Sequence, residues 1–322
     1  LAVAVDGEHP VVECCGLADL ERRVPISAGT RFDLGSAAKI FTAATVLGLV
    51  EQERLSLEAE VGDWLEELNG PTQDRPIRVE DLLAHTSGLP DYLELGKYTE
   101  PEKATTAYIR AQLRTWSREA RPGAAFHYCN TNFVVLAMLV ERITGLTFPL
   151  AVQEIILDVV PLEQTVFRQH GAALENAAKG YFNNGYGLAN FERSPPMALD
   201  TLGDGGLYSS LEDLLAFSCA FWGGEILNPL TLLKMVAPGR VADGKCFDYG
   251  LGCQVETQPN GMTWWGHGGS WTNGTVLIGR YPQQKMTLLL LSNDVLAPVE
   301  RIYQRAMAHF RPPQNTKDGL AP

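Results

Sequence analysis

The sequence has no C-x-x-C pair and no His/Cys cluster at zinc-ligand spacing, although it contains six cysteines. That argues against a structural zinc module and leaves no visible disulfide framework. The scattered thiols, at Cys14, Cys15, Cys129, Cys219, Cys246 and Cys253, read as reduced, which favours a cytoplasmic over a periplasmic or secreted location. The numbering opens at Leu1, so an upstream signal peptide stays open as the alternative. No basic run stands out among 26 Lys+Arg, and 38 Asp+Glu bring the formal net charge to -12. Nucleic acid is therefore excluded as an expected partner, because phosphate binding needs clustered cations. Apolar runs such as 133–140 and 286–291 fall well short of a membrane span. G-x-S-x-G and H-E-x-x-H are also missing, which disfavours an α/β-hydrolase and a zincin.

What remains is an ordinary globular composition: 322 residues, 45% hydrophobic and 20% charged, enough for one large core or two modest ones. Residues 1–5 and 11–16 are short apolar runs around Asp6-Gly7-Glu8-His9-Pro10 and predict a hairpin. Helical patterns follow at 79–84, 105–116, 132–144 and 148–160, separated by Gly/Pro/Asn-rich loops, with a further helix at 211–221. Strands return at 249–255, 263–267, 275–280 and 286–292, and a helix over 299–310 opens behind Pro298. Strands at both ends around a helical middle imply one sheet assembled from the two termini. Residues 1–54 and 198–322 then form an α/β lobe, residues 55–197 an inserted, mostly helical lobe, and the active site lies between them.

Ser36-Ala37-Ala38-Lys39 is the only S-x-x-K in the chain. Residues 40–50 are mostly apolar and read as a buried helix that Ser36 opens, so an i,i+3 pair shares one face, about 5–6 Å apart at Cβ. Lys39 is the only charge between Asp33 and Glu51, and a lysine is almost never buried without a partner or a task. A serine hydroxyl needs a neighbour to take its proton, and helix-start N–H groups can hold an oxyanion. Tyr128 and Asn130, at the start of the 132–144 helix, are further candidates, Tyr128 as a proton relay. Trp264-Trp265-Gly266-His267-Gly268-Gly269-Ser270-Trp271 places glycines in a strand, as close approach to a backbone would require. Ser87, in His85-Thr86-Ser87-Gly88-Leu89-Pro90, is a rival nucleophile of lower rank, because the stretch has turn chemistry and no nearby lysine. Gly203-Asp204-Gly205-Gly206 reads as a tight turn, with Ser209 or Ser210 capping the next helix.

In this order the motifs resemble the serine β-lactamase and penicillin-binding-protein superfamily, specifically its class C-like branch, over essentially the whole chain. The matching segments surround Ser36, His85, Tyr128-Cys129-Asn130, Gly203–Asp213, Tyr249-Gly250-Leu251-Gly252 and His267-Gly268-Gly269. The resemblance implies a β-lactamase/transpeptidase-like α/β (α+β) fold, an antiparallel sheet flanked by helices plus an all-helical lobe. It also implies roles: Ser36 as acylated nucleophile, Lys39 as base or proton relay, and Tyr128 as general base and acid. Asn130 would bind Lys39 and the substrate amide, His267-Gly268-Gly269 would form the third motif, and the Ser270 and Ser36 N–H groups would form the oxyanion hole. No metal or organic cofactor is implied, and the partner is a small ester, amide or peptide substrate. Oligomeric state has no sequence signal.

Two departures from the pattern carry expectations. The third motif is His-Gly-Gly where class C β-lactamases have Lys-Thr-Gly, which removes the cation that holds a β-lactam carboxylate. That resembles D-aminopeptidases, DD-peptidase-like enzymes and β-lactamase-fold esterases. Only 35 residues precede Ser36, so the family's N-terminal helix lies upstream of Leu1 or the 299–310 helix exposes an apolar face. The expected activity is a serine hydrolase acting through an acyl-enzyme on a small ester or amide. The alternatives are a β-lactamase, a slowly deacylating penicillin-binding protein, or a non-catalytic ligand- or peptide-binding relative. Loops 92–116 and 167–196 are expected to shape the pocket.

Overall fold

The computed structural model describes residues 1–69, 75–95, 105–168, 174–183, 188–190, 200–257 and 261–309. Large parts of the two loops expected to shape the pocket lie outside these residues, as does Phe310 at the end of the last expected helix. The helices are α1 (Lys39–Glu51), α2 (Val79–Leu83), α3 (Thr106–Gln112), α4 (Asn130–Thr144), α5 (Phe148–Ile155), α6 (Leu211–Gly223), α7 (Pro229–Met235) and α8 (Val299–His309). The principal strands are β1 (Ala2–Val5), β2 (Val11–Val12), β3 (Gln254–Thr257), β4 (Thr263–Trp271), β5 (Gly274–Tyr281) and β6 (Met286–Ser292).

These six strands form one sheet in the order β3-β4-β5-β6-β1-β2, antiparallel throughout. The two chain ends meet where β1 pairs with β6, Ala2 opposite Leu289 and Val3 opposite Leu288. Successive side chains of a strand face opposite sides, and the central strands of this sheet are packed on both. Val3, Trp264, Tyr281, Met286 and Leu288 pack with Tyr303 and Ala306 of α8, whereas Ala2, Val255, Val276, Ile278 and Leu289 join the main core. The α8 side chains Val299, Tyr303 and Ala306 are buried and Ile302 is half-buried, so the expected exposed apolar face is not seen among its described residues.

Residues 39–49 of α1 are buried all round, as expected of a helix apolar on every side. Phe41 stacks on Phe217 of α6 at 4.0 Å between ring centroids, and Ala44 and Leu47 share the main core with Phe133 and Leu136 of α4. The described part of 55–197 holds α2 to α5, but it also contains short strands that the sequence reading assigned to loops. Val166–Phe167 pairs with Leu207–Ser209, and Tyr181–Asn183 pairs with Leu188–Asn190. Two- and three-residue strands are too short to display alternation. α4 begins at Asn130 rather than 132. The strand expected from residue 249 begins at Gln254, because Gly252 adopts φ +86° and donates its N–H to the Leu83 carbonyl at 3.0 Å. α7 was not anticipated, although Asn228-Pro229 carries its signal: the Asn228 side chain accepts from the N–H groups of Leu230 and Thr231.

One contact joins the sheet to the start of α1. Gly269 of β4 lies so close to the turn before α1 that a Cβ there would sit 1.9 Å from the Leu34 carbonyl oxygen and 2.9 Å from the Ala37 nitrogen. At Gly268 the nearest neighbour would be Leu277 Cδ1 at 3.6 Å, an ordinary contact. Gly269→Ala should therefore cost about 3 kcal/mol by overpacking against backbone, while Gly268→Ala stays within about 1 kcal/mol. Urea unfolding of the two variants checks this, and equal midpoints would contradict the close approach.

Candidate active site

Ser36 lies in a 3-10 turn, Gly35–Ala38, that runs directly into α1. Gly35 enters it at φ +48°, a conformation that favours glycine, and donates its N–H to Asp33 Oδ1 at 3.0 Å. Lys39, one turn on, is completely buried. Its Nζ donates to Ser36 Oγ at 3.0 Å, to Asn130 Oδ1 at 2.8 Å and to the Asp204 carbonyl at 2.8 Å. Three acceptors meet the three N–H groups an ammonium carries, so the buried lysine has no donor left over.

Asn130 is held by a residue the sequence reading did not single out. Asp91 Oδ2 accepts from the Asn130 backbone N–H at 3.0 Å and from its Nδ2 at 2.8 Å. Because the carboxylate takes the amide NH2, Oδ1 is the end turned to Lys39. Asp204 was also missed as a site residue: the turn at 203–206 is present, but its carbonyl binds Lys39 and its Oδ2 accepts from Tyr92 O–H at 2.6 Å. No spacing rule links Asp91 to Asn130 or Asp204 to Lys39, since each pair joins a loop residue to the start of a helix distant in sequence. Ser87 is fully buried, donates to Asn132 Oδ1 at 2.5 Å and accepts from the Leu89 N–H, which makes it a turn residue. Ser210, not Ser209, caps α6, accepting from the Asp213 N–H at 3.1 Å.

Tyr128 places its ring 5.1 Å from Lys39 Nζ, measured to the centroid, in cation–π range. Its buried hydroxyl has no hydrogen-bond partner among the described residues, so it makes no direct bond to Ser36 or Lys39. The ring packs against His85 at 4.4 Å and lies 6.0 Å from His267, centroid to centroid. His85 Nδ1 accepts from the Cys129 N–H at 3.1 Å, which leaves the proton of a neutral ring on Nε2. His267 contacts the Gly268 carbonyl through Nδ1 and the Tyr249 hydroxyl through Nε2 at 3.1 Å. A carbonyl can only accept, so Nδ1 carries the proton and Nε2 takes the tyrosine's. Burial, with the Lys39 charge adding to it, pushes His267 down to about 3 and His85 well below the ordinary histidine range. Both rings are therefore neutral at physiological pH.

Ser36, Asn130 and Ser270 line an open cleft, together with Asp33, Arg168 and Asp204. His267 is buried outside its walls, and Gly268-Gly269 continue β4 against the serine turn. A Cβ on Gly35 would lie 3.1 Å from the Ser270 nitrogen, so the two backbones touch there. The Ser36 N–H belongs to the first turn of a helical run, where N–H groups lack intrahelical partners. The arrangement thus gathers a serine hydroxyl, a lysine on that hydroxyl, a buried phenol with spare hydrogen-bonding capacity and two neighbouring backbone N–H groups. This set can perform nucleophilic acyl transfer.

Comparisons with known proteins agree with that geometry. The chain is 28% identical over 292 residues to a penicillin-binding protein of Bacillus subtilis (strain 168), covering 86% of this chain and 64% of the relative. It is 28% identical over 277 residues to a D-aminopeptidase of Brucella anthropi, covering 84% of this chain and 51% of that protein. The chain thus spans between half and two thirds of the length of these relatives. The crystal structure of a penicillin-binding protein from Bacillus halodurans superposes with a TM-score of 0.84 at 23% identity, covering 96% and 94% of the two chains. The fold is the β-lactamase/transpeptidase-like one, with an antiparallel sheet and helices. Residues 1–309 match the sequence pattern of the family described as Beta-lactamase, and the chain belongs to the Beta-lactamase family.

Proposed function

We propose that this protein is a serine hydrolase that forms an acyl-enzyme on Ser36 and hydrolyses a small amide or ester. The observation that carries the reading is Lys39 Nζ, 3.0 Å from Ser36 Oγ and held by Asn130 and Asp204 on its other sides. In the first step Ser36 Oγ bonds to the substrate carbonyl carbon, and its proton passes to Lys39 Nζ as that nitrogen releases one of its own three toward the leaving group, with the Tyr128 hydroxyl as a further link once it turns toward Nζ. The carbonyl oxygen collects negative charge against the Ser36 and Ser270 N–H groups. Collapse of that intermediate breaks the bond to the leaving amine or alcohol, which takes the proton, and leaves the acyl group on Ser36. A water then adds to the ester carbon, gives its proton back along the same relay and restores Ser36 as the acid departs. Asn130 keeps one Nδ2–H beyond the one it gives Asp91, and that donor is available to a substrate carbonyl.

Amides with an amino-acid acyl group are the favoured class, because the D-aminopeptidase relative carries the same reaction type in its name. β-Lactams are disfavoured by the third motif. A neutral His267, tied to Tyr249 and the Gly268 carbonyl, supplies no fixed cation for a ring carboxylate. The similarity to a penicillin-binding protein favours one further reading, stable acylation by penicillin without turnover.

Intact-mass analysis after exposure to a fluorophosphonate should reveal one adduct, located on Ser36 and lost in Ser36→Ala. A second site, or no adduct, would refute the nucleophile. Rates on p-nitrophenyl acetate, a D-alanyl anilide and nitrocefin decide the subclass, with nitrocefin expected to be the slowest of the three.

A third prediction concerns His267. With its pKa at about 3 in the fold against 6.5 when free, unfolding takes up a proton at pH values between the two. Its contribution to stability is therefore complete above about pH 6.5 and is lost as pH falls toward 3, by about 1.4 kcal/mol per pH unit. His267→Gln should flatten the fall in unfolding free energy between pH 6 and 4 by up to about one proton. An unchanged slope would mean that the ring is not buried neutral.

A further inference from the structure

The stretch His85-Thr86-Ser87-Gly88-Leu89-Pro90 carries a residue that the proposed chemistry does not use. α2 ends at Leu83, and the chain folds back on it: the His85 N–H reaches the Leu82 carbonyl at 3.3 Å and the Thr86 N–H the Asp81 carbonyl at 2.8 Å. His85 is thus the left-handed residue of a helix stop, at φ +56°, a place where capping alone selects glycine. It is 1% exposed and does not belong to the walls of the cleft that holds Ser36. A buried histidine kept in a conformation unfavourable to any residue with a Cβ points to a task for its side chain.

What His85 holds is Tyr128. Its carbonyl accepts from the His127 N–H at 2.9 Å and its Nδ1 from the Cys129 N–H at 3.1 Å, so the main chain is tied on both sides of the tyrosine. Nδ1 also meets Asn132 Nδ2 at 3.2 Å, which brings the first turn of α4 into the same clamp. The imidazole packs on the phenol ring at 4.4 Å between centroids, and Lys39 Nζ lies 5.1 Å from the phenol centroid. We infer that His85 is a positioning residue for Tyr128: it fixes the tyrosine's main chain and packs its ring, and leaves the tyrosine's own side-chain bonds to carry the hydroxyl toward Lys39 Nζ. This rests on the acyl-enzyme reading above and gives its proton relay a support. A neutral ring suits the place, because burial and the Lys39 charge both oppose a second cation there.

The test reads the saturation kinetics of Ser36 labelling by a fluorophosphonate in the full chain, which separate the maximal rate from the half-saturating concentration. Two variants divide what His85 provides. His85→Phe keeps a ring against Tyr128 and loses the acceptor, whereas His85→Asn keeps an acceptor near the place of Nδ1, tolerates the left-handed conformation and loses the ring. His85→Phe should lower the maximal rate about 100-fold and His85→Asn only about 10-fold, with the half-saturating concentration within about twofold of wild type in both. A residue that merely fills the core would give the reverse order, because phenylalanine preserves the packing. In a Tyr128→Phe background either His85 substitution should cost less than about twofold more. The reverse order, unchanged maximal rates, or losses that multiply with Tyr128→Phe would each overturn the proposal, and the cycle stands on His85→Asn alone where His85→Phe does not fold. Absence of Ser36 labelling in wild type would sink the acyl-enzyme reading itself, and a Tyr128→Phe variant as fast as wild type would sink the relay and the proposal with it. Both are read before any His85 variant, so the failures are distinct.

Discussion

The site is organised around one buried nitrogen. Lys39 Nζ binds the turn that carries Ser36, the first residue of α4 through Asn130, and the 203–206 turn through the Asp204 carbonyl. A lone buried charge would cost several kcal/mol, so three well-placed acceptors are a condition of burying this one. Each acceptor is itself fixed: Asp91 orients Asn130, Tyr92 holds the side chain of Asp204, and the turn bearing Ser36 is pinned between Gly269 of β4 and Asp33. The nitrogen that donates to Ser36 thus also locks the sheet side of the cleft to its helical side.

The two histidines packed around that nitrogen add no charge to it. His85 and His267 are both held neutral by burial, and both contribute aromatic faces to the packing around Tyr128. A lysine at position 267 would place a second positive charge near Lys39, whereas a neutral imidazole joins a hydrogen-bonded pair with Tyr249. The histidine that sets this chain apart from the Lys-Thr-Gly pattern therefore leaves no fixed positive charge at that position.

The parts of this arrangement that were legible in the sequence are those with a period or a motif. Ser36 and Lys39 are i,i+3 on one helical run, and the apolar residues after them have no polar face to mistake. The sheet was legible from the short apolar runs toward both ends of the chain, and the glycines of β4 signalled a close backbone approach, which turned out to be to Leu34 and Ala37. The loop partners were not legible. Asp91 reaches Asn130 across 39 positions and Asp204 reaches Lys39 across 165, contacts that only the tertiary fold creates. For Tyr128, its ring rather than its hydroxyl meets Lys39. Side-chain direction at the mouth of a helix is set by neighbours such as His85, which no local pattern encodes.

The central claim, that Lys39 acts on Ser36 as one unit with Asn130, is tested most directly by a double-mutant cycle on the rate of Ser36 labelling by a fluorophosphonate. Lys39→Met and Asn130→Leu would be measured singly and together, with folding checked by circular dichroism. Residues acting as a unit give strongly non-additive losses, so the double variant should label about as slowly as Lys39→Met alone. Losses that simply add would contradict the account, because they would mean that Asn130 and Lys39 influence Ser36 independently.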